Sequence, residues 1–191
     1  MKIAIIGQGY VGLTISAFAG EFYKVVGYDN NQRVVDRLNQ GISHIEGVDS
    51  AVLQKLIKTE RYTATTDGSD ISDADIVVIA VPTPLTKDRQ PDMAFIDSAC
   101  KTIGENIKRS ALIINESTSF PGTIRNYIKP LIEKHSGGKL EHLYAISPER
   151  VDPGRGDYNQ KNTPRLYAGL TPEASAKTRV FYSKFLSLIH I

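Results

Sequence analysis

Cysteine is nearly absent: Cys100 stands alone among 191 residues. That excludes an internal disulfide and fits a reducing compartment, so a cytoplasmic location is expected. No apolar run approaches the roughly 20 residues needed to span a bilayer, and Ile3–Ile6 is too short for the apolar core of a secretion signal. Neither membrane insertion nor export is therefore expected. The four histidines, His44, His135, His142 and His190, show no metal-ligand spacing and no Ser or Cys partner in the motifs; no metal is expected and all four read as incidental. An excess of one charge is missing too, since 23 Lys and Arg face 21 Asp and Glu. The small positive balance is local: residues 1–154 hold 17 basic against 19 acidic side chains, residues 155–191 six against two. No basic stripe with interleaved aromatics appears, which argues against nucleic acid as a partner. Internal repeats and low-complexity segments are lacking as well.

What is present is ordinary globular composition, 41% hydrophobic and 23% charged, enough for one α/β domain or a domain plus the beginning of another. The opening line is the most informative stretch. Ile3-Ala4-Ile5-Ile6 leads into Gly7-Gln8-Gly9-Tyr10-Val11-Gly12, an amphipathic helical stretch, then Val25-Val26-Gly27-Tyr28 and Asp29. Strand, glycine turn, helix, strand and acid form the layout of a dinucleotide-binding βαβ unit. Gly7 permits the tight turn, Gly9 lets backbone approach a pyrophosphate, and Gly12 allows close helix–strand packing. The helix N-terminus offers unpaired N–H groups to the phosphates. Asp29 is placed to accept from the adenosine ribose and to repel a 2′-phosphate, which points to NAD rather than NADP. Arg33 is the counter-argument, because an arginine here can hold a 2′-phosphate. It either lies along the adenosine or is a solvated cation on the next helix.

Beyond Asp29, strand and helix signals alternate. Asn31–Leu38 and a segment carrying Val52, Leu53, Leu56 and Ile57 read as helices, and Tyr62–Thr65 as a short strand. Ala74–Val81 reads as a buried central strand, Met93–Ile107 as a helix, and Ala111–Ile114 as another buried strand. Pro121-Gly122 opens a helix to about Glu133, Leu143–Ile146 is a strand, Arg165–Leu170 an edge strand, and Pro172–Leu188 a final helix. The expected architecture is a doubly wound, mostly parallel, Rossmann-like sheet. Ligands bind such sheets outside the carboxyl ends of the strands. That directs attention to Pro82-Thr83-Pro84, Glu116–Thr123 and Ser147–Gly154, loops rich in proline and hydroxyls.

These loops carry a resemblance. The glycine turn with Tyr10-Val11, Asp29, Val81-Pro82-Thr83-Pro84, Glu116-Ser117-Thr118, Pro121-Gly122-Thr123 and Ser147-Pro148-Glu149-Arg150 follow the order seen in the UDP-glucose/GDP-mannose dehydrogenase family. The likeness runs from Met1 to about Leu170. It implies oxidation of C6 of a nucleotide sugar from alcohol to carboxylate, with two NAD per turnover and a cysteine-linked intermediate. Ser147-Pro148-Glu149-Arg150-Val151-Asp152-Pro153-Gly154 resembles the branch acting on UDP-N-acetylhexosamines; the UDP-glucose branch carries a second acid where this chain has Pro153.

By that resemblance Tyr10 and Val11 lie against the pyrophosphate, although Val11 also reads as core. Thr83 holds the nicotinamide-side ribose, or is a turn residue between prolines. Thr118 contacts the cofactor and positions a catalytic water, or caps the following helix. Glu116 supports the nicotinamide or is a solvated acid. Glu149 is the general-base candidate, its alternative being a surface acid paired with Arg150. Arg150 and Val151 contact the sugar nucleotide.

The family's nucleophilic cysteine has no counterpart here, because Cys100 sits on the apolar stripe Ile96, Ala99, Ile103 and Ile107 and reads as core. Residues 1–170 are therefore expected to be an NAD-binding domain. Residues 171–191 are expected to begin a connecting helix toward an absent half that would also supply a homodimer contact. The alternative is a standalone NAD-binding regulatory module without turnover. The apolar ending, Phe181, Phe185, Leu186, Leu188, Ile189 and Ile191, favours the first by suggesting an expected partner domain. A 3-hydroxy acid dehydrogenase would share the opening fold but not the Glu116 and Glu149 loops.

Overall fold

The computed structural model describes residues 1–149 and 163–190. Strands β1 (Lys2–Ile6), β2 (Lys24–Tyr28), β3 (Tyr62–Thr65), β4 (Ile76–Ile79), β5 (Leu112–Asn115), β6 (Leu143–Ile146), β7 (Arg165–Gly169) and β8 (Leu188–His190) form one sheet. Their order is β3-β2-β1-β4-β5-β6-β7-β8. The run from β3 to β6 is parallel throughout, β7 turns antiparallel to β6, and β8 is parallel to β7. Strands β4 and β5 are buried along their whole length, as central parallel strands covered on both faces must be.

The helices are α1 (Tyr10–Gly20), α2 (Gln32–Asn39), α3 (Ser50–Lys58), α4 (Ala94–Asn106), α5 (Lys129–Ser136) and α6 (Pro172–Tyr182). One apolar layer joins α1, α2, α3 and α6 to the sheet, and a second joins α4 and α5 to its other face. The doubly wound α/β expectation holds. The chain winds one way from β1 to β3 and the other way from β4 to β6, so its switch point lies between β1 and β4.

Four local expectations need correction. Pro121-Gly122 form a turn, with Gly122 at φ +86°, and helical structure begins as a π turn over Ile124–Ile128 that runs into α5. Pro130 has no N–H to give to the residue four before it, which widens the ladder at this point. The final helix ends at Tyr182, where Phe181 and Tyr182 are seated in the core at 1% and 0% exposure. The following residues return as β8, and β7 is thereby interior rather than an edge: Arg165 N–H donates to the Ser187 carbonyl at 2.9 Å. Finally, the apolar ending is absorbed by the chain's own core. Phe181 and Leu186 are buried, and the partly buried Phe185 and Leu188 pack against the same layer, so those four already have neighbours within the chain.

Candidate functional site

A cleft of about 270 Å³ opens at the carboxyl ends of β1 and β4, at the switch point. Gly7–Gly9, Tyr28–Asn31, Val34 and His44 line one side; Val81, Pro82 and the α4 residues Phe95, Ser98 and Ala99 line the other. The three glycines of the turn are constrained differently. Gly7 has φ +91°, and a Cβ there would lie 2.7 Å from the Ala80 carbonyl oxygen. A Cβ on Gly12 would lie 1.8 Å from the Gly7 oxygen, so α1 is pressed against the turn. A Cβ on Gly9 would meet no protein atom within 4 Å; that position faces open space.

Helix α1 starts at the turn without a side-chain cap and without an acid in its first turn. Helices α2, α3 and α6 are capped by Asn31, Asp49 and Thr171. The first N–H groups of α1 are thus left to an anion from outside. Both carboxylate oxygens of Asp29 are held by backbone: Oδ2 accepts from Gln8 N–H at 2.8 Å and Oδ1 from Asn31 N–H at 2.9 Å. The acid is fixed at the end of β2 with lone pairs to spare. Arg33 is exposed on the first turn of α2. Tyr10 is 40% exposed, while Val11 packs against the core.

A second cluster forms beyond β5 and β6. Glu116, expected on a loop near the cofactor or in solvent, is fully buried. Its Oε2 accepts from Arg165 Nη1 at 2.5 Å, and its Oε1 accepts from the Tyr182 hydroxyl. The same guanidinium donates through Nη2 to Glu149. Burial pushes the Glu116 carboxyl above the usual carboxylate range, and the Arg165 charge and Tyr182 hydroxyl pull against it. Burial works against the Arg165 charge, but the two acids outweigh it and keep the guanidinium protonated. Buried ions persist only when paired and hydrogen-bonded in this way. Glu149 is therefore an acid clamped by Arg165. Arg150 and Val151, like the rest of 152–154, lie outside the described residues.

Thr118 is exposed just after β5 and caps no helix. Its neighbour Ser117 is the structural hydroxyl: Oγ accepts from Val81 N–H at 3.0 Å and donates to the Val81 carbonyl at 2.8 Å, tying together the loops after β4 and β5. Thr83 is half-buried one residue beyond the cleft-lining Pro82. Cys100 is fully buried, and burial pushes its thiol up to about 12. Among the described residues no group of three His, Cys, Asp or Glu could hold a metal, and no helix is long and apolar enough to cross a membrane.

Residues 1–186 match the NAD-binding domain of the UDP-glucose/GDP-mannose dehydrogenase family. The chain belongs to that family. It is 32% identical over 98% of its length to the UDP-N-acetyl-D-glucosamine 6-dehydrogenase of Pseudomonas aeruginosa, covering 44% of that protein. It is 36% identical over 96% of its length to the UDP-N-acetyl-D-mannosamine dehydrogenase of Escherichia coli K12, covering 46% of it. The structure of the UDP-D-ManNAc dehydrogenase from Pyrococcus horikoshii superposes with a TM-score of 0.89 at 31% identity, over all of this chain and 46% of the other. The chain thus spans under half the length of the curated relatives it matches.

NAD is the cofactor of this family domain, and the residues present fit it. The space in front of Gly9 suits a pyrophosphate, the uncapped start of α1 supplies N–H donors, and Asp29 suits a diol. Sequence reasoning missed three things. His44, read as incidental, lines the cleft. Gln8 is buried beneath the turn rather than facing a ligand. Arg165 organises the second cluster, and a signal for it existed: it shares a strand face with buried Tyr167, and an arginine on a buried strand face requires an acid partner.

Proposed function

We propose that this chain is the NAD-binding half of a nucleotide-sugar 6-dehydrogenase, with a UDP-N-acetylhexosamine as the favoured substrate and UDP-glucose next. The observation that carries the proposal is the convergence of two devices at the carboxyl edge of one parallel sheet: the NAD cleft after β1 and β4, and an acid, Glu149, held by a buried arginine after β6. Converting a C6 alcohol to a carboxylate removes four electrons, adds the oxygen of one water and needs two NAD, each of which accepts two electrons when bound.

The chain's own contribution divides by loop. Gly7–Gly12, Tyr10 and Asp29 hold the adenosine diphosphate portion, with Arg33 alongside the adenosine. Thr83 holds the second ribose. Thr118, exposed after β5, orients a water. Glu149 takes the C6 hydroxyl proton or activates the attacking water, while Arg150 and Val151 contact the sugar nucleotide. Glu116, saturated by Arg165 and Tyr182, supports Glu149 through their shared guanidinium rather than touching the nicotinamide. Cys100 is not the nucleophile, since its thiol is buried and held protonated; that group belongs to the other half of the protein, as does the homodimer contact, in the cytoplasm.

Two measurements test this. With NAD and UDP-N-acetylglucosamine or UDP-N-acetylmannosamine, the isolated chain should produce no NADH beyond background while still binding NAD. Sustained NADH production would overturn the half-enzyme reading. In the whole protein, Glu149→Gln keeps shape and removes basicity, so turnover should fall by ~10²-fold or more with NAD affinity little changed. Near wild-type turnover would move the base elsewhere. A standalone NAD-binding module is the second reading; the clamped Glu149 argues against it, because cofactor binding alone has no need of that acid.

A further inference from the structure

Gln8 sits between the first two glycines of the turn, yet its side chain points into the protein and is fully buried. Its carboxamide is saturated. Nε2 donates to the Ile5 carbonyl at 3.0 Å and the Gly7 carbonyl at 3.2 Å. Oε1 accepts from the Ser16 hydroxyl of α1 at 3.1 Å and from the Tyr62 hydroxyl of β3 at 2.8 Å. The backbone N–H of the same residue is the one that holds Asp29 Oδ2. Strand β2 makes room for the arrangement with Gly27, where a Cβ would come within 2.5 Å of the Gln8 side chain and 2.8 Å of the Tyr62 hydroxyl.

We propose that Gln8 is a positioning residue that sets cofactor specificity: its carboxamide, locked by Ser16 and Tyr62, holds the turn so that its N–H keeps the Asp29 carboxylate aimed at the ribose diol. The turn has glycine on both sides of Gln8, so its backbone has little stiffness of its own. Backbone bonds hold its flanks, from Gly7 N–H to the Tyr28 carbonyl at 2.8 Å and from Leu13 N–H to the Gly9 carbonyl at 2.9 Å, and the buried side chain fixes the residue between them. Tyr62 lies outside the cleft lining and is 1% exposed, so it does not touch the cofactor, and its one side-chain hydrogen bond among the described residues runs to Gln8. Burial raises the Tyr62 pKa and keeps the phenol a donor.

The inference rests on NAD binding by this chain, and the test separates the two. NAD and NADP affinities are measured by calorimetry well below the melting temperature for wild type, Tyr62→Phe, Gln8→Leu and Tyr144→Phe. Tyr144 is another buried tyrosine, on β6, whose hydroxyl has no hydrogen-bond partner among the described residues. Wild type should prefer NAD by about tenfold. Tyr62→Phe should weaken NAD by roughly fivefold, and Gln8→Leu by more. Both should weaken NADP less, narrowing the preference; Tyr144→Phe should change neither. If Gln8→Leu does not fold, Tyr62→Phe decides alone. A Tyr62→Phe chain with unchanged NAD and NADP affinities, whatever its melting temperature, would overturn the proposal. So would an equal effect from Tyr144→Phe. Wild type that binds no NAD would overturn the cofactor assignment as well.

Discussion

The cofactor corner and the Arg165 cluster stand at the same edge of one sheet, but they are assembled from different distances along the chain. At the glycine turn, Gln8 N–H meets Asp29 across 21 residues, and only the buried carboxamide behind it reaches further, to Tyr62 across 54. In the cluster, Arg165 reaches Glu116 across 49 residues and Tyr182 reaches it across 66. The first corner is backbone chemistry: glycine φ values, helix N–H groups and a carboxylate held by two amides. The second is buried side-chain charge that exists only once β5, β6, β7 and α6 are in place. A site made of local backbone can be altered without unfolding the chain. A site made of distant buried ions is part of what holds the fold together.

The strongest attempt to break this contrast is Gly9→Val. Its side chain points into open space, so the melting temperature should hold within ~2 °C. It should nevertheless fill the pyrophosphate position and cut NAD affinity by at least ~10²-fold in calorimetry. A large loss of stability would show that the turn is not the separable unit described. Arg165→Met should do the reverse. Removing one partner of a buried ion pair costs about 3–5 kcal/mol, or roughly 10 °C in a domain of this size. NAD affinity measured in the cold should stay within about twofold, because the cleft lining does not include Arg165. Adding Glu116→Gln should restore part of the loss. Full retention of stability in Arg165→Met would show that the cluster is dispensable to the fold.

The smallest expected effect lies at the opposite ends of the strands. His142 Nδ1 accepts from the Ala111 N–H at 3.2 Å, and burial lowers the imidazole pKa from its ordinary 6.5. Above that pH the neutral ring accepts from Ala111 through Nδ1 and carries no charge for burial to penalise. As the pH falls through about 6.5, the unfolded chain takes up a proton that the folded form resists, and stability is lost. The melting temperature should therefore drop by a few degrees between pH 7.5 and 5.5, and His142→Asn should flatten the profile. An unchanged slope in that variant would assign the pH dependence to other groups.

Where the information is local, the chain could be read directly. The glycine turn, Asp29, the parallel strands and the core position of Cys100 follow from residue types within short windows, because backbone sterics and apolar periodicity act over a few residues. The length of α6 could not be read this way. Its apolar periodicity continues past Tyr182, but strand pairing with β7 outcompetes it. For the same reason the apolar ending looked like a surface awaiting a partner, when Phe185 and Leu188 already have one in the core.

The sequence by itself determined the kind of fold and the glycine turn proposed to hold the NAD phosphates, since Gly7 sits at φ +91° and a Cβ at Gly12 collides with the Gly7 carbonyl only five residues away. Only the tertiary structure decided that Gln8 faces inward toward Tyr62, and that Glu116 and Glu149 share Arg165. Those choices depend on which distant groups arrive beside a buried donor or charge. In a low-dielectric interior such a group must find its partner, and nothing in its sequence neighbourhood names that partner.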